Sequence, residues 1–309
     1  MQAYLIGREP LKILVTGGTV FVSRSVAEYF IKKGHDVYVL NRNTRPQPHG
    51  AKLIKCDRRN IGDKLKDLTF DTVIDITAYT AEDINLLLDG LSNFKDYIMI
   101  SSSAVYPETL AQPFKETDKT GENKFWGSYG TNKTNAERAL LNRVPNAYIL
   151  RPPYLYGEYN NVYREAFVFD CADFDLPFYL PTDGQLPLQF LHVEDLCRFI
   201  EILLIKHPKQ KIFNVGNRET VTIKDWVELC YAATGKSPEF KNVSADIEQR
   251  NYFPFYNYSY RLDVNAQCAL LPDLLSLESG LKRSYDWYKN NKQEVRKKNY
   301  LQFIENNLK

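Results

Sequence analysis

Along the first half of this chain, short apolar runs rich in β-branched residues alternate with segments whose apolar positions recur at helical spacing. The runs fall at 12–16, 36–41, 51–57, 71–78, 97–101 and 147–151. Between the first two, Val22, Val26 and Phe30 stand four residues apart and Gly34 follows as a stop, which predicts a complete strand-helix-strand unit. Segments 83–91 and 131–141 predict further crossover helices, the second turning Ala136, Ala139, Leu140 and Leu141 toward a core. This alternation predicts a doubly wound α/β domain of Rossmann type, a parallel sheet covered on both faces.

Beyond Gly157 the rhythm changes. An aromatic and proline-rich stretch at 159–187 precedes a short apolar run at 190–193 and a helix at 194–205. One more strand at 211–215 is expected to return to the sheet, and the remainder reads as helical with a Tyr-rich loop at 252–260. The expected division is residues 1–157 plus about 188–216 for the Rossmann domain. About 158–187 plus 217–309 would form a smaller, discontinuous substrate-binding region. Ligands of open parallel sheets bind outside the carboxyl ends of the strands, so candidate chemistry is sought there.

Composition narrows the partners. The chain has 309 residues, 44% hydrophobic and 25% charged, within the range of ordinary folded proteins. Forty Lys plus Arg against 38 Asp plus Glu leave +2, without long single-sign runs, so no nucleic-acid partner is expected. The densest basic stretch, 282–298, is interrupted by Asp286 and Glu294 and reads as the solvated face of terminal helices. Five irregularly spaced cysteines without a C-x-x-C fit a reduced, cytoplasmic setting, and four histidines without zinc-ligand spacing predict no metal. Neither a signal peptide nor a membrane span is expected.

The first strand runs straight into Thr16-Gly17-Gly18-Thr19 and then a helix, where a Gly-rich turn offers backbone N–H groups to a pyrophosphate. Of the three spaced glycines of a dinucleotide fingerprint only Gly17 is present; Val20 and Ser23 hold the other places. The second strand ends in Asn41-Arg42. Asn41 can bond a ribose hydroxyl, and Arg42 with Arg45 can face a 2′-phosphate, which tilts the expected cofactor from NAD slightly toward NADP. Two solvated arginines explain the same pattern nearly as well. Asp57, after the third strand, can accept a hydrogen bond from adenine and is equally good as a turn former.

The strongest constellation sets Ser101-Ser102-Ser103, at a strand end, against Tyr129 and Lys133 on the helix entry that follows. At i and i+4 the tyrosine and lysine share a helical face, so an ammonium can lower the phenol's pKa for proton exchange with a substrate hydroxyl. The same spacing recurs at Tyr29 and Lys33, Tyr285 and Lys289, and Tyr288 and Lys292. Only Tyr129 lies downstream of a strand-terminal serine cluster, and that context selects it.

Six motifs, in order, carry a resemblance. They are Thr16-Gly17-Gly18-Thr19, Ser101 to Tyr106, Tyr129-Gly130-Thr131-Asn132-Lys133, Arg151 to Gly157, His192-Val193-Glu194-Asp195 and Phe213-Asn214-Val215-Gly216. On these the chain resembles the extended short-chain dehydrogenase/reductase superfamily, in its NAD-dependent epimerase/dehydratase group. The resemblance implies Ser102 as the substrate-orienting hydroxyl, Tyr129 as the catalytic acid or base and Lys133 as its partner on the nicotinamide ribose. It implies a cofactor bed of Gly17, Gly18, Thr19, Phe21, Val22, Asn41, Arg42, Asp57 and Pro153, with Tyr154 beside the nicotinamide and His192 in a structural turn.

The same resemblance implies a nucleotide-sugar substrate handled by nicotinamide hydride transfer, in the manner of a 4-epimerase, and leaves room for a homodimer. Dehydratases of the group carry an Asp-Glu pair where Ser103-Ala104 stands here, so dehydration is disfavoured. Ser103, Arg250 and Arg261 are further candidates for gripping substrate. The rival expectation is a cofactor-binding regulator or RNA-associated protein of the same fold with weakened or lost catalysis, which the incomplete glycine fingerprint favours.

Overall fold

Apolar runs form β1 (Lys12–Thr16), β2 (Asp36–Asn41), β3 (Lys52–Lys55), β4 (Thr69–Asp75), β5 (Asn93–Ile100) and β6 (Tyr148–Arg151) in the computed structural model, which describes residues 9–309. They join the later strand β11 (Ile212–Asn214) in a seven-stranded sheet of order β11-β6-β5-β4-β1-β2-β3. Every neighbouring pair in it is parallel. This is the doubly wound α/β order, with its reversal between β1 and β4.

Alternation along β1 sorts the two faces. Ile13 and Val15 pack with Val26 and Phe30 of α1 (Phe21–Lys32) and with Leu196 and Phe199 of α5 (Val193–Lys206). Leu14 packs on the other face with Ile84 and Leu87 of α2 (Ala81–Gly90) and Leu140 of α3 (Ser128–Arg143). Burial on both faces is why the strands read as near-continuous apolar runs.

Helix α2 begins at Ala81, two residues before the expected start, because Thr80 and Asp83 form a capping box. Helix α3 starts at Ser128, after Gly127 turns the chain with φ +51°. Tyr129 and Lys133 therefore lie inside a helix.

The segment after Gly157 is more structured than its composition suggests. It contains α4 (Glu165–Asp173) and the strand β8 (Phe178–Pro181), following the short strand β7 (Tyr154–Tyr156). Residues 165–172 of α4 are all buried, so no amphipathic period marks the helix. Two short strands, β9 (Pro187–Leu188) and β10 (Phe190–His192), lead to α5, and β10 pairs with β7. Beyond β11, the strands β12 (Val221–Thr222) and β13 (Phe240–Val243) flank α6 (Ile223–Thr234) and pair with β9 and β8.

Helices α7 (Asn265–Leu270), α8 (Leu277–Asn290) and α9 (Tyr300–Asn307) complete the chain. A separate aromatic core holds this part together, with Trp226 stacked on Phe190 at 5.7 Å and Phe255 set edge-on to Trp226 at 5.1 Å. The basic stretch near the C-terminus is only partly a solvated face. Lys292 and Lys297 reach Asp173 and Asp170 of α4 at 2.6 and 2.8 Å, and so fasten the terminal segment to the aromatic core. All five cysteines are free and buried. Among the described residues no helix is long and apolar enough to cross a membrane, and no group of three or more His, Cys, Asp or Glu is placed to hold a metal.

Candidate active site

At the carboxyl end of β1, Gly17 and Gly18 both take left-handed backbone, with φ +89° and +91°. A Cβ at Gly18 would lie 2.5 Å from Val39, so the turn has no room for a side chain there. Ser23 fills the third fingerprint position compactly: its hydroxyl donates to the Val20 carbonyl at 2.9 Å. Helix α1 then begins with no side-chain cap and no acid in its first turn, leaving its N–H groups and positive dipole end available to an anion. Val20 stands at the N-cap in extended conformation and Phe21 takes φ +39°, an uncommon value for an aromatic residue. The residues present fit a dinucleotide pyrophosphate, with Thr19, Phe21 and Val22 around the turn.

Asn41 at the end of β2 is committed to that turn. Its amide donates to the Gly17 carbonyl at 2.6 Å and to Gln47 at 2.9 Å. Arg42 is exposed and Arg45 half-buried. Asp57 caps a short turn by accepting from the Arg59 N–H at 2.9 Å. The neighbouring Arg58, which the sequence did not single out, reaches inward to the buried Asp75 and donates to the Thr77 hydroxyl at 3.0 Å. Asp75 also accepts from Thr16 at 2.8 Å and Tyr97 at 2.6 Å, and these partners overcome burial to hold its pKa below the usual carboxylate value.

Ser102 follows β5 and accepts from the Ala104 N–H at 3.1 Å, which holds the serine turn in shape. Tyr129, 38% exposed, stands opposite on α3. Partial burial raises its phenol pKa, and the nearby Ser102 hydroxyl works in the other direction. Lys133, one turn further, is 2% exposed and donates to the carbonyls of Ala78 at 2.7 Å and Ile100 at 2.8 Å. Burial lowers its pKa to about 8, against the opposing pull of Asp75 and Glu137. The ammonium also lies 5.0 Å from the Tyr79 ring, whose centroid is 6.4 Å from that of Tyr129. Lysine, serine turn and tyrosine thus meet where β4 and β5 end, and Thr16–Asp75 ties that point to the end of β1.

A model of the NAD dependent epimerase/dehydratase family matches residues 13–216, most of the chain. The chain belongs to that family.

Relatives of this epimerase/dehydratase chain include the Arabidopsis thaliana protein named chloroplast stem-loop binding protein of 41 kDa b, 26% identical across 92% of this chain and 80% of that one. UDP-glucose 4-epimerase of Corynebacterium glutamicum is 23% identical across 73% of this chain and 81% of its own. Among solved structures, the Bordetella bronchiseptica enzyme WbmG in complex with NAD superposes with TM-score 0.74 at 16% identity, covering 93% of this chain and 96% of that one. UDP-glucose 4-epimerase from Thermotoga maritima with UDP-glucose gives 0.73 at 20% identity, covering 90% and 98%. Both likenesses are of fold.

The remaining candidates of this family member divide. Ser103 is buried, its N–H donating to the Pro152 carbonyl at 2.9 Å and its hydroxyl meeting Tyr260. Pro153 is buried between β6 and β7. Arg250 lies over the Tyr256 ring at 4.6 Å, whereas Arg261 is exposed, its main chain pairing with Phe114 at 2.8 Å. His192 is wholly buried and caps α5, its Nδ1 accepting from the Glu194 N–H at 3.2 Å.

The other Y-x-x-x-K tyrosines are structural: Tyr29 donates to Glu201, Tyr285 to Asp173 and Tyr288 to Asp170. A cavity of about 540 Å³ opens at the opposite edge of the sheet, beside His35, Asp71, Lys95 and Glu201, and contains none of the candidate residues. Tyr79 and Arg164 belong to the candidate site and were not singled out. Gly130, named only as part of the Tyr129–Lys133 motif, lies inside α3 and faces the serine turn.

Proposed function

We propose that the chain is an NAD(P)-dependent enzyme that oxidises and re-reduces a secondary alcohol of a nucleotide sugar, as a 4-epimerase does. The observation that carries this reading is that α3 seats Tyr129 against the Ser102 turn, with Lys133 held at the ends of β4 and β5, beside a turn that fits a pyrophosphate. The nicotinamide, when bound, supplies the acceptor and donor of hydride. Ser102 orients the reacting oxygen, and Tyr129 takes the hydroxyl proton and returns it. Lys133, held by two carbonyls, still has one N–H for a ribose hydroxyl.

Epimerisation is favoured over dehydration because the place of an acid pair is taken by Ser103 and the fully buried Ala104. Residues 158–187 and 217–309 supply the substrate side. Five buried thiols without disulfides suit a reduced, cytoplasmic setting. The reading is tested by mass spectrometry of cofactor and nucleotide sugar released from purified protein, followed by turnover on the sugars found. An Arg42→Ala, Arg45→Ala double variant that loses NADP and NAD affinity equally would remove the NADP preference.

A second reading is favoured by the stem-loop binding name of the relative that matches 92% of this chain. Here the fold keeps a cofactor and serves an RNA partner without turnover. The ammonium of Lys133, tied to the carbonyls of Ala78 and Ile100, supports it. Steeply salt-dependent RNA binding, with no activity on any nucleotide sugar, is the outcome that selects it.

A further inference from the structure

We propose that the buried pair of Arg58 and Asp75 positions Lys133: it fixes the loop whose Ala78 carbonyl receives the ammonium, and its carboxylate is the counter-charge that a buried ammonium needs. What the ammonium does for a cofactor rests on the epimerase reading above; how it is held does not.

The first observation is a carboxylate in an apolar strand. β4 runs through Val73 and Ile74 into the core and ends on Asp75, which is fully buried. Burying a carboxylate is costly, and even a well-bonded buried ion pair adds little stability over apolar residues of similar size. Folding alone is therefore a weak reason for the pair. Its place at the carboxyl end of β4, next to the loop that Lys133 grips, is a stronger one.

The second observation is the fixing of that loop on both sides of Ala78. Arg58 reaches in from the turn after β3 and donates to Asp75 through both terminal nitrogens, to the Thr77 hydroxyl at 3.0 Å and to the Asp83 carbonyl at 2.9 Å. Thr16 donates to Asp75 at 2.8 Å and accepts from the N–H groups of Ile76 and Thr77 at 2.9 and 3.1 Å. The Asp83 carboxylate accepts from the N–H groups of Tyr79 and Thr80, each at 2.9 Å. Ala78 is held between these ties, and its carbonyl accepts from Lys133 at 2.7 Å.

The third observation is electrostatic. Four charged groups act on the Lys133 ammonium: Asp75 at the end of β4, Asp83 of α2, Arg58 and Glu137 of its own helix. Asp75 favours the ammonium most, ahead of Glu137 and of the opposing effect of Arg58. Glu137 is engaged by Arg151 at 2.6 Å, and Asp83 caps α2. Burial works against all of the favourable charges, so the ammonium stays protonated near neutral pH only with its counter-charge in place.

The test is urea unfolding of the cofactor-free protein at pH 7 and pH 9.5, with Asp75→Asn made alone and together with Lys133→Met. At pH 7 the ammonium is charged, so Asp75→Asn should lower the midpoint by on the order of 0.5 M more with Lys133 present than beside Lys133→Met. At pH 9.5, above its pKa of about 8, the lysine has lost its proton and the excess should vanish. Asp71→Asn, about 13 Å away at the other end of β4, should show no excess at either pH. Should Asp75→Asn not fold, Arg58→Met combined with Asp75→Asn removes both charges and is read in the same way, with a smaller excess of the same sign. No excess at pH 7, or an excess of equal size at both pH values, would overturn the proposal, because a purely structural pair costs the same whatever the charge on Lys133. NAD titration at pH 7 adds a second readout. Asp75→Asn should weaken binding several-fold, and should weaken it no further beside Lys133→Met. An undiminished effect beside Lys133→Met would also overturn the proposal. Should NAD not bind at all, the epimerase reading falls, and the unfolding comparison by itself decides how Lys133 is held.

Discussion

Gly130 rests on the backbone of Ala104 so closely that a Cβ at position 130 would lie 2.3 Å from the Ala104 carbonyl oxygen. That contact seats α3 against the serine turn and so sets the distance between Tyr129 and Ser102. Gly130→Ala forces helix or turn to move. Destabilisation of roughly 2 kcal/mol is expected, with a loss of turnover larger than the loss of cofactor affinity. Chemical denaturation and cofactor titration check it, and wild-type stability with wild-type turnover would show that the contact is not required.

Tyr129→Phe keeps the ring and removes the exchangeable proton. Turnover of an active nucleotide sugar should fall by ~10²-fold or more while the fold and cofactor binding survive. Tyr29→Phe and Tyr285→Phe serve as controls, since those hydroxyls bond to Glu201 and Asp173 far from the serine turn. They should change stability and leave the chemistry intact. A Tyr129→Phe enzyme running at the wild-type rate would end the proton-transfer assignment.

Much of the Rossmann half was legible because its signals are local. Val22, Val26 and Phe30 declare their helix by spacing, and strands such as β1 declare themselves as unbroken apolar runs. Helix α4 was not legible, since burial on every side erases the period that reveals a helix. The serine turn and Tyr129 could be paired through motif order. Asn41 carries the opposite lesson: its position suggested a ribose contact, while its amide is already bonded to Gly17.

Val20 and Phe21 make the nucleotide turn depart from its usual glycine-rich form. With Val20 extended, Phe21 takes φ +39°, a conformation that costs on the order of 1–2 kcal/mol for a residue with a Cβ. Val20→Gly frees the preceding residue and lets the turn approach the pyrophosphate more closely. Cofactor affinity should rise several-fold by isothermal titration. An unchanged affinity would show that the present path already serves the pyrophosphate.

Glu158 offers a stability test outside the reacting groups. Its carboxylate bonds Arg283 at 2.8 Å and lies 3.3 Å from His192 Nε2. Burial alone would raise its pKa, but the contact with His192, a backbone N–H and Arg283 prevail and bring it down to about 2, against an ordinary 4.5. The folded state therefore binds fewer protons than the unfolded state between these values. The stabilisation is fully present above 4.5 and is lost as pH falls toward 2. Glu158→Gln should cost roughly 2 kcal/mol at pH 7, after allowance for partial exposure, and the gap to wild type should narrow below pH 4.5. Urea unfolding of both proteins at pH 7, 5 and 3 measures it. A gap of the same size at all three would mean that Glu158 acts by packing and not by charge.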